Sequence, residues 1–331
     1  MLLVQICFSL FAFLLVTFHS AAAAQAKLQK IVIAYTSLSP QFSPAWIAKE
    51  RGIFEKNGLA VDLIYMRGAV VASQALIGGD VNIISAGVGA VVDSSLAGAD
   101  LVVLASPSNR AETVLIAKPY IKSPAELKGK KIAVGSLAGP ALLTLKAILK
   151  SYGLDPEKDV QYMVTGPTAT RFAALNSTVI DATLVEPPYT LHAKKAGYSY
   201  FDNFPALKDL AIANASIIST RKFVEQQPEV VEQVIKSVIQ AIHFYKTNVE
   251  GPVAILKKYS RIENPEDLQE FYQRYLGGMA EKPYPSVQSV QTFLAWSKNP
   301  KAKTADPKLF VDSRFVEKLD KQGFIDALYK K

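Results

Sequence analysis

Short apolar runs rich in β-branched residues alternate with longer stretches of helical period through the first two thirds of the chain. Ile31–Tyr35, Val61–Met66, Val81–Ile84, Leu101–Leu104, Lys131–Val134, Val160–Val164 and Ile180–Val185 read as strands. Strands that alternate with helices imply right-handed crossovers, and therefore α/β layers with a mostly parallel sheet covered on both faces. From about Phe223 the period becomes helical. The segment Pro228–Tyr245 puts Val231, Val234, Ile235, Val238 and Ile242 on one stripe, and Pro228 suits its first turn. Further helices are predicted at Val253–Tyr259, Pro265–Leu276 and Val287–Trp296. Nothing in this tail reads as a linker, so it is expected to pack back on the first lobe.

A faint repeat runs at an offset of 99 residues, the step from Ile33-Ala34 to Ile132-Ala133. Ser37 recurs as Ser136, the strand from Val61 as the strand from Val160, and Ala75-Leu76 as Ala174-Leu175. The helix exits Asn57-Gly58-Leu59 and Tyr152-Gly153-Leu154 agree with a few residues of slippage. The common spacing predicts two similar lobes, in keeping with 331 residues.

Ahead of the first strand, Leu2–Phe18 is almost unbroken apolar sequence that exits into Ala21-Ala22-Ala23-Ala24-Gln25-Ala26. An apolar run followed by small residues describes a secretory signal, here cleaved near Ala24. An uncleaved anchor is the competing reading, because the run is close to the shortest span that crosses a bilayer. The only cysteine, Cys7, sits within this segment, so the mature chain has no disulfide, thiol nucleophile or thiolate metal site. Such a chain suits an oxidising periplasm.

Lys and Arg number 37 against 29 Asp and Glu, a formal charge of +8. The basic residues are dispersed among acids, which argues against nucleic acid and leaves electrostatic focusing of a small anion.

In open parallel sheets the strand C-terminal ends and the following helix N-termini form the binding edge, because free N–H groups and the positive dipole end point there. The candidates are therefore positional. After the first strand come Ser37, Leu38, Ser39 and Phe42, with Ser43-Pro44 read as N-cap and first helical residue; Trp46 is assigned to the core. Arg67-Gly68 follow the second strand, where the guanidinium can fork onto a carboxylate or sulfonate. Ser85-Ala86-Gly87 follow the third, where a backbone can come close to a guest. Asn109 lies where the chain crosses to the second lobe. That lobe offers Ser136, Leu137 and Ala138 in a glycine-rich turn, then Gly166 and Thr168, then Glu186 and Tyr189, whose ring can stack. The turn lacks the lysine of a nucleotide P-loop and no GxGxxG occurs, so ATP or NAD does not fit and no cofactor is expected.

With the strand ends in place, the chain resembles the nitrate/sulfonate/taurine-type solute-binding proteins of ABC importers, which share their fold with thiamine-precursor-binding proteins. The matching stretches are Ile33-Ala34-Tyr35 with Pro44–Phe54, Gly58-Leu59 with Val61-Asp62, and Ala75-Leu76 with Gly79-Asp80-Val81-Asn82. Ser123–Ile132 and Asp181-Ala182 with Glu186-Pro187-Pro188-Tyr189 continue it. The resemblance implies a type II periplasmic-binding-protein fold in which two α/β lobes trap the ligand by hinge closure. Its first lobe would span 25–110 and 206–331, its second 111–205, after a signal of 1–24. It also implies a small, anionic organic ligand, a permease and an ATPase as partners, and a monomer in the periplasm. One departure is the turn Asn176-Ser177-Thr178-Val179, where the family usually has a glycine.

Two rivals remain. An enzyme on the same fold, such as a pyrimidine-synthase relative or a hydrolase, would have to work with His192 and His243 alone, without G-x-S-x-G or H-E-x-x-H. A ligand-sensing domain for a transmembrane signalling partner would use the same cleft and closure.

Overall fold

The computed structural model describes residues 28–330 apart from 111, 136, 138, 139, 203 and 205–209. The expected signal segment and the site candidates Ser136 and Ala138 lie outside the described residues.

Among the described residues, ten strands form two five-stranded sheets. The first has the order β2 (Leu59–Tyr65), β1 (Gln29–Tyr35), β3 (Ile83–Ala86), β10 (Ser216–Thr220), β4 (Leu101–Ala105). The second has the order β7 (Gln161–Val164), β6 (Lys131–Val134), β8 (Ala182–Val185), β5 (Val114–Ala117), β9 (Ser199–Phe201). In the first sheet β10 runs antiparallel between β3 and β4, and in the second β5 runs antiparallel between β8 and β9. The remaining neighbours are parallel. The two sheets therefore share one topology; the first is completed by β10, supplied only after the chain has crossed to the second sheet and back, and the second by its own first strand, β5. Those crossings are tied to each other, with the Ile212 N–H donating to the Asn109 carbonyl at 2.9 Å and the Ser106 and Ser216 hydroxyls 2.9 Å apart.

The repeat of 99 residues carries into atomic detail. The Val32 N–H donates to Asn82 Oδ1 at 2.8 Å, and 99 positions on the Lys131 N–H donates to Asp181 Oδ2 at 2.8 Å. Gly79 closes its helix at φ +84°, and Thr178, again 99 positions later, holds φ +65°. A β-branched residue there is strained, because its Cβ crowds the backbone.

The inner strands are apolar on both faces because each sheet is covered on both, while the edge strands β2 and β7 leave residues such as Asp62 and Gln161 exposed. Ile31 and Ile33 of β1 enter one core and Ala34 the other; in β5, Leu115 and Ala117 divide likewise from Val114 and Ile116. The tail closes the first of these cores. Helix Pro228–Thr247 buries Val231, Val234, Ile235, Val238 and Ile242 beside Trp46 and Ile47. Trp46 is fully buried and stacks on Tyr259 at 5.0 Å. No described helix is long and apolar enough to cross a membrane.

Three sequence readings need correction. The third strand starts two residues later than expected, since Asn82 spends its side chain on Val32 before pairing begins. Ser43 is the first helical residue and not the N-cap, because Pro40–Phe42 already forms a tight turn that leads into the helix. Strands β5, β9 and β10 were not anticipated: they are three to five residues long and lack a flanking helical pattern that would set them off.

Candidate functional site

The first wall of the site is built from the ends of β1, β2 and β3, held together by short bonds. The Thr36 hydroxyl donates to the Ser85 carbonyl at 3.2 Å, and the Gly68 N–H reaches the Thr36 carbonyl at 3.4 Å. Ser37 accepts from the Ser39 N–H at 3.2 Å, and the Ser39 hydroxyl donates to that of Tyr275 at 3.1 Å. Gly68 has φ +98°, a conformation that only glycine takes without strain, and it starts helix Ala69–Gly78. Gly87 starts helix Val88–Leu96 beside Asn214. Ser85 and Ala86 lie within β3 and are 2% and 0% exposed, so their side chains are packed. Phe42 is a core residue, Leu38 packs partly against the same core, and Arg67 is exposed.

In the second lobe a single side chain organises the strand ends. Arg171 donates to the Gly166 carbonyl (2.7 Å), the Thr168 hydroxyl (2.9 Å), the Thr183 hydroxyl (3.1 Å) and the Leu184 carbonyl (3.1 Å). Its guanidinium also lies against Gly135, where an added Cβ would sit 3.2 Å from Nη1. Four of its five N–H donors are thus spent on fixing the exits of β7 and β8, and its charge acts on Glu186. Burial lowers the Arg171 pKa. Tyr189 packs its ring against Phe172 at 5.4 Å and His192 at 5.8 Å. Leu137 is exposed in the glycine-rich turn.

The walls meet around Tyr275, which is fully buried. Burial pushes its hydroxyl pKa well up, and the carboxylates of Glu186 and Glu112 push in the same direction. Glu186 is itself raised, first by burial and then by Glu112, against the pull of Arg171. Glu112 is raised by burial, against Arg274 and Arg110. Arg274 reaches Glu112 at 3.5 Å and Asp202 at 3.6 Å. The buried charges at this junction are therefore balanced between carboxylates and guanidinium groups, and the net positive charge of the chain is not concentrated there.

A second set of bonds runs between helix Pro265–Leu276, which packs on the first lobe, and helix Tyr189–Lys195 of the second. His192 Nε2 lies 3.1 Å from both carboxylate oxygens of Asp267, Lys195 pairs with Glu266, and Glu270 accepts from the Leu191 N–H at 3.2 Å. Glu270 thus caps from across the cleft a helix start that has no side-chain cap of its own.

Among the described residues, several buried polar atoms have no hydrogen-bond partner: Gln41 Oε1, Asn109 Oδ1, Thr113 Oγ1, Thr165 Oγ1 and Thr190 Oγ1. They come from the first strand exit, a crossing segment and the exits of β7 and β8. Buried polar groups are rarely left unpaired, so this set marks a place where a polar guest or ordered water completes the bonding.

Of the residues expected from sequence, Ser39 and Glu186 reach the junction at Tyr275, and Gly166 and Thr168 form one bonded unit through Arg171. Ser85, Ala86 and Phe42 are packed inside the lobe. Sequence reasoning missed Gln41, Glu112, Arg171 and Tyr275. Tyr275 sits in a helix whose limits were read correctly, but helical period alone does not distinguish a core tyrosine from one at a cleft. Arg171 offered a usable signal, a lone guanidinium one turn after Gly166-Pro167.

Residues 24–252 match the NMT1-like family. The chain is 28% identical over 312 residues to the taurine-binding periplasmic protein of Escherichia coli K12, covering 92% of this chain and 91% of that one. It is 29% identical over 229 residues to a protein of Brucella abortus described as a binding protein, covering 66% of this chain and 67% of the relative. The solved periplasmic aliphatic sulphonate binding protein of Escherichia coli has the same fold, with a TM-score of 0.70 at 21% identity over 86% of this chain and 92% of that one. The family match runs through both sheets and the long helix that closes the first core, and on that extent the chain belongs to the NMT1-like family.

Proposed function

We propose that this protein is the extracytoplasmic solute-binding component of an ABC importer, capturing a small organic solute between its lobes by hinge closure and delivering it to a permease and its ATPase. The observation that carries the reading is the junction at Tyr275. Two sheets of one topology meet there with their strand exits, and unpaired polar atoms come from both lobes. Such a cleft binds by hydrogen bonds and shuts around its guest without making or breaking bonds. The lobes are assigned as 25–110 with 206–331, and 111–205. Residues 1–24 are assigned as an export signal cleaved near Ala24, and the mature protein as a periplasmic monomer.

The solute class is a sulfonate, carboxylate or related anion. Helix starts at Gly68 and Gly87 present N–H groups to the first wall, and the relative from Escherichia coli is named for taurine. Isothermal titration of the mature chain with alkanesulfonates, taurine, nitrate, aromatic carboxylates and aminopyrimidines tests this, together with native mass spectrometry of protein purified without refolding. One class binding stoichiometrically and unchanged is the expected result. No binding across the panel, or turnover of a bound compound, overturns the reading.

A further inference from the structure

A side pocket of about 310 Å³ opens beside the cleft wall at Gly87. Phe293 and Trp296, from the tail helix Val287–Trp296, give it two rings set edge to face at 5.5 Å. The Phe293 ring lies so close to the chain that a Cβ on Gly89 would sit 2.8 Å from it, so the glycine is what lets this wall form. Val70, 70% exposed, stands at the mouth. Leu143 comes from the second lobe, so an occupant touches both lobes.

Asp93 is the one charged side chain lining this pocket among the described residues. It makes no hydrogen bond or ion pair with another described side chain, and no neighbouring charge acts on it; burial alone raises its carboxyl pKa. Asp93 is exposed at the edge of apolar walls and has no counter-charge, so its carboxylate is free to take a cation, and a ring face attracts cations. An anion is repelled by Asp93, and a neutral apolar guest desolvates the carboxylate further without compensating it. A cation on an apolar body satisfies both features together.

We propose that this pocket is a second binding site, for an organic ammonium group carried on an apolar body. It is distinct from the anion-favouring strand exits and does not depend on which solute the cleft takes. Because Leu143 forms its far wall, occupancy favours the state in which the lobes are together, whether the ammonium belongs to the cleft solute or to a separate molecule.

The test is a fluorescence titration of the mature chain with benzyltrimethylammonium. Trp296 lies in the pocket while Trp46 is fully buried, so a saturable change that disappears in Trp296→Phe reports the site. Asp93→Asn is expected to weaken the probe about three- to fivefold, phenylacetate to bind the wild type no better than Asp93→Asn, and Val70→Lys to weaken binding further by placing a cation beside the pocket. Both positions are exposed, so the variants are expected to fold, which melting curves check. Competition by a solute that titration has shown to bind the cleft separates one ligand spanning both sites from two ligands. No saturable change, equal affinity in Asp93→Asn, or a change that survives Trp296→Phe overturns the proposal. Failure of every cleft solute with the probe still bound would overturn the importer reading and leave this one standing.

Discussion

Replacing Arg171 tests whether one side chain holds the second-lobe wall in shape. Arg171→Met keeps most of the apolar stem and removes the guanidinium, with its bonds to Gly166, Thr168, Thr183 and Leu184. Hydrogen bonds from a charged donor are worth about 1.5–3 kcal/mol each, but the Gly166 carbonyl and the Thr168 hydroxyl are partly exposed and regain water. The Thr183 hydroxyl and the Leu184 carbonyl belong to buried residues and are left without this donor, while Glu186, which loses a nearby positive charge, can relieve part of the loss by taking a proton, since its pKa is already raised. A loss of about 3 kcal/mol is expected. At about 2.1 cal/mol/K of unfolding entropy per residue, a chain of this size shifts by roughly 1.5 °C per kcal/mol, so the melting temperature falls by about 4–5 °C, measured by calorimetry on ligand-free protein. Arg171→Lys recovers little of it, because an ammonium cannot fork onto two strand exits at once. A shift below about 2 °C, or a Lys variant that melts with the wild type, refutes the account.

Thr178→Gly relieves a left-handed β-branched residue at the position where the first lobe has Gly79, and raises stability by about 0.5–1 kcal/mol in denaturant titration; a loss would show that the turn is not strained. Burial raises the Glu186 pKa, so stability falls as pH rises from the ordinary carboxyl value through the raised one. Glu186→Gln therefore melts above the wild type at neutral pH, with the gap closing toward pH ~4.5, whereas a pH-independent gap would contradict this. Neutralising Glu266, Asp267 and Glu270 together removes a helix cap worth about 1 kcal/mol, and weakens the exposed Lys195–Glu266 pair and the His192–Asp267 contact by a few tenths each. The open form should gain roughly tenfold or more, seen as a larger radius of gyration by small-angle scattering without ligand; unchanged scattering would mean that these bonds do not restrain the lobes.

The fold was legible because its signals are local. A strand buried on both faces has to be apolar throughout, and the stripe on Pro228–Thr247 has to face a core, so Ile31–Tyr35 and Val231 to Ile242 stand out in any window of the chain. The repeat was legible for a related reason: two copies of one unit keep the same turns at the same spacing, down to Asn82 and Asp181 making the same bond. The cleft was read only by position. Strand exits locate the binding edge in general, but whether a side chain at an exit turns into the sheet, as Ser85 does, or onto the returning tail, as Ser39 does toward Tyr275, depends on what packs beneath it.

What the sequence determined by itself is therefore the α/β class and the duplication, since each follows from hydrophobic period and turn chemistry over a few residues. Only the tertiary structure decided which strand completes each sheet, that Tyr275 from the tail faces Glu186 and Glu112, and that Arg171 holds the second wall. Those contacts join residues far apart in the chain, and they exist because crossing segments and the returning tail bring together surfaces that no local pattern encodes.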